Sequence, residues 1–401
     1  MPHDLLWFLL PIAAASGWWL SARQTHTNSN SQTAYIPADY YKGINYFLNE
    51  QPDKAIDVFV QMLEMDSESV EPHLALGNLF RRRGETDRAI RIHQNLIARP
   101  SLSNAHRKQA LLELGHDYMQ AGVFDRAESL LEDLVSRDSA NLPALRLLLK
   151  IYEQEQEWSK ALTTAERIEA HSSETYRHRV AHYYCELADD AMKTEAFSDA
   201  RKLIRRALSA QPDSIRALIQ QAHMDAAIYH HRGVIKACKR ALKNNPEYLG
   251  DCIEMLINSY RQLERPDELE SYIEALMVQQ NTMYPVSVYA DYLIEHKGRA
   301  VAIDFLMGYL GTHPSLPGLQ RLLVLLQSNT LASDDDIRGV KMSLNVVAKL
   351  LENTPLFICN NCGFSGVRRR WQCPGCRHWD TIDAVTGIPI QKDHLMTQVG
   401  H

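Results

Sequence analysis

A small residue recurs along this chain at a near-constant interval, and that ladder restricts the possible folds more than any other feature. Gly43, Gly77 and Gly115 each precede an alanine by twelve positions, at Ala55, Ala89 and Ala127. Gly43 to Gly77 is 34 residues, and so is Ala55 to Ala89. The second series continues through Ala161, Ala200, Val234, Leu269 and Ala302, in steps of 34, 39, 34, 35 and 33 residues. An aromatic falls three after the glycine position, as Tyr46, Phe80, Tyr118, Tyr152 and later Tyr260. Pro212, Pro246 and Pro314 each fall twelve after the small residue. A unit of this length is too short to bury its own apolar face, so successive copies must stack.

The pattern resembles the tetratricopeptide repeat, a helix–turn–helix unit, in about eight or nine copies across residues 36–330. Several copies are imperfect, and the usual first-helix tryptophan is missing. The expected class is all-α, a right-handed superhelix whose concave groove takes extended segments or helices of other proteins. Fold alone then implies binding, not catalysis. Asn78 and Arg82 are placed on the groove side of the second repeat, ready for a carboxylate, and the corresponding positions of the first, Tyr40, Ile44 and Phe47, are apolar. Arg81-Arg82-Arg83 before Gly84 also reads as an ordinary helix end, with cations in the last turn and glycine at the stop. A further apolar helix is expected over residues 319–326. Within 331–354, Asp334-Asp335-Asp336 suggests a helix start, and 339–353 reads as a long capping helix.

That helix leads into residues 355–401, which hold Cys359-Asn-Asn-Cys362-Gly and, ten residues on, Cys373-Pro-Gly-Cys376. Two such pairs at short separation signal one tetrahedral metal site of four sulfurs. Gly363 and Gly375 allow positive φ, so backbone N–H groups can point back at the sulfurs. A segment this short cannot build a sufficient core alone, and a structural metal supplies typically ~10–16 kcal/mol of folding free energy. The knuckles resemble those of rubredoxin, where a four-cysteine iron carries one electron. Against that role, only ten residues separate the pairs, and Arg377 stands where the second knuckle would have glycine. Zinc and iron both suit four sulfurs, so a rubredoxin-like or zinc-ribbon module is expected. Trp371 and Trp379 are expected to cover the sulfurs as a miniature core, and the module to pack against the last helices. Arg368, Arg369 and Arg370 read either as a solvated loop or as an electropositive contact for an acidic partner or lipid headgroups.

Residues 5–22 are almost wholly apolar, and as a helix would span about 27 Å, close to a hydrocarbon core of about 30 Å. Trp7, Trp18 and Trp19 lie near its ends, where such rings favour the membrane interface. A cleaved signal peptide is the rival reading, with Ala13, Ala14 and Ala15 as a cleavage site, but no Lys or Arg precedes the run. The first basic residue, Arg23, follows it and favours an uncleaved anchor within 1–22, its N-terminus outside and the body in the cytoplasm. A polar tether at 23–35 separates anchor from repeats. Cys185, Cys238 and Cys252 sit in helical sequence as core fillers. Thiols that wait for metal need a reducing compartment. A net charge of −6 argues against nucleic-acid binding. No HExxH, Walker, GxSxG or GxGxxG motif is present, so no catalytic residue is assigned and the chain is not expected to be an enzyme.

Anchor, tether, repeats and terminal cysteine module, in that order, resemble the lipopolysaccharide assembly protein B family of the Gram-negative inner membrane. The specific part is the ending, FICNNCGFSG at 357–366 and WQCPGCRHWD at 371–380. The resemblance implies a regulatory adaptor in the inner membrane, with repeats and metal module in the cytoplasm. It implies work with the membrane-bound AAA+ metalloprotease to degrade the UDP-acyl-N-acetylglucosamine deacetylase that commits precursor to lipid A. It also implies an opposing inner-membrane sensor of lipopolysaccharide level. By motif match Cys359, Cys362, Cys373 and Cys376 are the metal ligands, with iron implied. Two other functions stay open: a scaffold assembling lipopolysaccharide-synthesis enzymes, and a redox protein.

Overall fold

In the computed structural model, residues 38–385 are described apart from 50, 67, 279–281, 328–333 and 353. The apolar run at 5–22 and the tether lie outside these residues. Among the described residues no helix is long and apolar enough to cross a membrane.

The described helices follow one another as α1 (Ala38–Leu48), α2 (Pro52–Met65), α3 (Val70–Arg82), α4 (Thr86–Ile97), α5 (Asn104–Gln120), α6 (Phe124–Arg137) and α7 (Leu142–Glu155). Then come α8 (Trp158–His171), α9 (Arg177–Lys193), α10 (Phe197–Ala210), α11 (Ile215–Ala227), α12 (His231–Asn244) and, after a short 3-10 turn at Pro246–Tyr248, α13 (Leu249–Gln262). The series ends with α14 (Pro266–Met277), α15 (Met283–Lys297), α16 (Arg299–Thr312), α17 (Leu316–Gln327) and α18 (Asp334–Leu351). They form two compact units, divided between Ile151 and Tyr152.

In the first unit, α1 pairs with α2, α3 with α4 and α5 with α6. The glycine ladder works by close approach. A Cβ at Gly43 would meet the Phe59 ring at 2.7 Å, one at Gly77 would meet His93 Nε2 at 2.4 Å, and one at Gly115 would meet Leu131 Cδ2 at 3.0 Å. Each glycine thus admits the large residue four past the alanine, while Ala55, Ala89 and Ala127 are fully buried. His93 is an unexpected filler. Its Nδ1 bonds Asp117 Oδ2 at 2.5 Å, and Arg81 Nη1 reaches Asp117 Oδ1 at 2.8 Å. Buried polar groups need such partners.

In the second unit, α9 pairs with α10, α11 with α12, α13 with α14, α15 with α16 and α17 with α18. Their core runs continuously from Leu218 to Leu325, with Tyr260 and Tyr289 almost fully buried. The hairpin turns explain why later copies look irregular. Gly84, Gly122 and Gly298 take φ of 80°, 74° and 92°, but Gln156, Glu195, Tyr229 and Glu264 take φ of 61°, 57°, 56° and 55° at the corresponding turns. The left-handed turn is retained where glycine is absent, at a cost of order 1 kcal/mol each. Helix α17 is longer than expected, and α18 ends at Leu351.

A three-stranded antiparallel sheet follows, of β1 (Phe357–Cys359), β2 (Ser365–Gly366) and β3 (Ile382–Ala384), in the order β2-β1-β3. Phe357 faces Gly366 on one side and Ala384 on the other.

Candidate metal centre

The first knuckle hangs from the end of β1. Cys359 N–H donates to Phe364 O at 2.7 Å, and Gly363 N–H donates back to Cys359 O at 2.9 Å. That turn needs the positive φ of 75° at Gly363. The second knuckle repeats it, with Cys373 N–H on His378 O and Arg377 N–H on Cys373 O, both at 2.9 Å. Arg377 takes φ of 60° where a glycine was expected, so the knuckle forms without one. Gly375 is needed for space, not for positive φ: a Cβ there would lie 3.3 Å from Cys362 Sγ.

The turns bring Cys359, Cys362, Cys373 and Cys376 together, with all four sulfurs within 4.8 Å of one another. Cys359 Sγ lies 3.7 Å from Cys376 Sγ, and Cys362 Sγ 3.6 Å from Cys373 Sγ. A tetrahedral ion with metal–sulfur bonds near 2.3 Å sets its sulfurs about 3.8 Å apart. A disulfide, at ~2.05 Å, would be far shorter. Asn361 and the backbone N–H of His378 hold the Cys376 thiol down at about 5. The Thr381 hydroxyl, 3.3 Å from Cys359 Sγ, lowers that thiol as well. Cys359 and Cys376 are thus biased toward thiolate, the form that binds metal, while against the pull of the Phe364 backbone N–H, burial and the other sulfurs push Cys362 up to about 12. Donor set and spacing therefore fit a four-coordinate zinc or iron ion, which would fold the module and, if iron, could pass one electron.

The tryptophans do not cover the sulfurs. Trp379 stacks on His182 (centroids 4.5 Å apart, 17° between planes) and meets Trp158 edge-on at 5.9 Å. Trp371 stacks on Tyr248 at 5.6 Å and 3°. Arg216, 3% exposed, lies under both rings at 5.9 and 5.8 Å from their centroids, and bonds Glu186 and Asp189 at 2.9 Å each. Trp379 Nε1 and the Tyr183 hydroxyl converge on buried Glu153 at 3.5 and 2.5 Å. These aromatics dock the module on residues 153–251 of its own unit, upstream of the last helices where it was expected.

The three arginines between the knuckles divide accordingly. Arg368 and Arg370 are exposed. Arg369 turns inward over Tyr248 at 4.2 Å and Phe357 at 5.3 Å, 3.4 Å from Asp251, so it is a docking residue. Cys185, Cys238 and Cys252 are buried and free.

In the first unit, Asn78 and Arg82 line a cleft of about 220 Å³ together with Tyr40, Ile44 and Phe47. Arg82 lies over the Phe47 ring at 4.3 Å, and Asn78 Oδ1 is buried without a hydrogen-bond partner. Arg81 and Arg83 are spent elsewhere, on Glu113 and Asp117 and on Asp53 and Glu85. Arg216, Tyr248 and Glu153 were not singled out in the sequence. Nothing local marks them, because the module residues they meet, Trp371 and Trp379, lie more than a hundred residues away.

Residues 357–384 match the rubredoxin metal binding domain, and residues 73–105 and 112–174 match tetratricopeptide repeats. Lipopolysaccharide assembly protein B of Escherichia coli K12 is 33% identical over 385 residues, covering 96% of this chain and 99% of its own length. The protein of the same name from Haemophilus influenzae is 33% identical over 396 residues, covering 96% and 98%. With identity spread over nearly the full length of both relatives, repeats and cysteine module together, the chain belongs to the lipopolysaccharide assembly protein B family.

Proposed function

We propose that the chain is a non-enzymatic adaptor of the bacterial inner membrane that lowers lipopolysaccharide synthesis by regulated proteolysis. Its partners in this reading are the membrane-bound AAA+ metalloprotease and the UDP-acyl-N-acetylglucosamine deacetylase, opposed by an inner-membrane lipopolysaccharide sensor. The observation that carries the reading is the full-length match to proteins of lipopolysaccharide assembly. The cleft of Asn78, Arg82 and Phe47 supports it, offering a cation and an apolar wall to a segment with a carboxylate. Residues 5–22 would anchor the body to the cytoplasmic face, and shared anchoring raises effective concentration without new contacts. Cys359, Cys362, Cys373 and Cys376 hold iron, with zinc as the alternative, and the ion stiffens the module rather than doing chemistry. Exposed Arg368 and Arg370 are the module's contacts for an acidic partner.

Turnover of the deacetylase tests this. Its half-life should lengthen in cells that lack the chain, or that carry it without residues 1–22. An unchanged half-life, with several synthesis enzymes co-purifying, would favour the scaffold instead.

A further inference from the structure

Apart from the sulfur centre, the second unit gathers three more potential ligands. His178 and His182 stand four apart on α9, so one helix face carries both rings, with centroids 4.9 Å apart. Asp380, next to Trp379, reaches them from the module. Its Oδ2 lies 2.9 Å from His182 Nε2 and 3.2 Å from His178 Nε2. The three ligand atoms all fall within 4.8 Å of one another. Zinc with ligands at ~2.0–2.1 Å sets neighbouring ligand atoms about 3.3 Å apart, close to the two distances from Asp380 to the rings.

Several features go beyond simple packing. Burial lowers the pKa of His182, against the pull of Asp380, so its ring is neutral and has a lone pair to give. His182 Nδ1 is buried without a hydrogen-bond partner, and the Asp380 carboxylate, an acceptor, holds the ring proton on Nε2. With Nε2 protonated, Nδ1 is left unsatisfied; with Nδ1 protonated, the Nε2 lone pair faces a carboxylate. A cation between them would bind that lone pair and the carboxylate together. Asp380 stands at φ of 54°, a left-handed conformation that aspartate tolerates better than most residues, and there its carboxylate meets both rings. His178 and Asp380 are 47% and 36% exposed, which leaves the open side to water.

We infer that His178, His182 and Asp380 form a second metal site, for a zinc-class divalent ion held by two imidazoles, one carboxylate and water. Two nitrogens and an oxygen suit such an ion, while the four sulfurs keep the softer centre. The second ion joins two elements, α9 and the module, so it sets how firmly the module stays docked.

Cobalt(II) is the probe. The full-length chain, its sulfur site already loaded, is titrated with cobalt(II) chloride. Wild type should gain a visible d–d band without sulfur charge transfer, and added zinc should abolish it. His178→Ala and Asp380→Asn should each weaken that binding by at least about tenfold, leaving the sulfur-bound metal in place. His178 is half-exposed and Asp380→Asn keeps hydrogen bonding, so helical circular dichroism should not change; if one variant loses it, the other decides. A silent wild-type titration, or a band that survives in the folded variants, overturns the proposal.

Discussion

The repeat helices of the second unit and the cysteine module below them bury side chains on very different scales. The helices enclose Tyr183, Tyr260, Tyr289, Ile204 and many more, a core that grows with each hairpin. Among its described residues the module encloses only Cys359, Cys373, Trp379 and Ile382, and Trp379 is buried against the helices rather than within the module. A stack of hairpins is therefore stable through area, and the module through a metal and a docking surface. The difference teaches that the module's fold should be switchable while the helices' fold is not.

The sharpest way to break the comparison is Cys359→Ser. It removes a ligand from a site worth ~10–16 kcal/mol in structural zinc peptides, so the module should unfold and lose its ion. Limited proteolysis should then cut near residue 355, while helical circular dichroism stays nearly unchanged. Arg216→Ala comes next. It leaves Glu186 and Asp189 without their buried cation and opens space under Trp371 and Trp379. Because both carboxylates reach water, a loss of about 2–3 kcal/mol is expected, read by denaturant unfolding of the tryptophan fluorescence.

What the residues disclosed, and what they did not, follows the same line. Gly43, Ala55 and their repeats were legible because the contact they serve, glycine against the residue sixteen on, recurs at constant spacing. The four cysteines were legible because two Cys-x-x-Cys pairs at short separation are a specific spacing for one tetrahedral thiolate site. Trp371 and Trp379 were assigned to the wrong partner. Nothing in their neighbourhood names Tyr248 or His182, and only the folded chain brings those rings together. Arg369 differs from Arg368 and Arg370 for the same reason, since three adjacent arginines look alike until Asp251 and Tyr248 select one.

A smaller effect separates close-packed glycines from open ones. Gly77→Ala would force a Cβ to 2.4 Å from His93 Nε2 and should destabilise by about 1–3 kcal/mol. Gly308→Ala on α16 meets nothing within 4 Å and should stabilise by up to ~1 kcal/mol. Urea midpoints measure both. The least effect concerns pH. Burial lowers the pKa of His116 in the first unit and of His223 in the second. The unfolded chain titrates these near 6.5, so below that value it binds more protons than the folded one. Helix stability should be full above about pH 6.5 and fall as acid carries the pH toward the lower folded values. Melting temperatures at pH 7.5 and 5.5 should show the drop in metal-free protein.

Amide hydrogen exchange before and after metal removal by a strong chelator tests the central claim most directly. If the ion holds the module folded and the module covers the helices, removal should raise exchange in β1 and β3 and also around Trp158, His182 and Tyr248. The amides of α1 to α6 should keep their protection. Loss of the ion with no added exchange around His182 and Tyr248 would contradict the account.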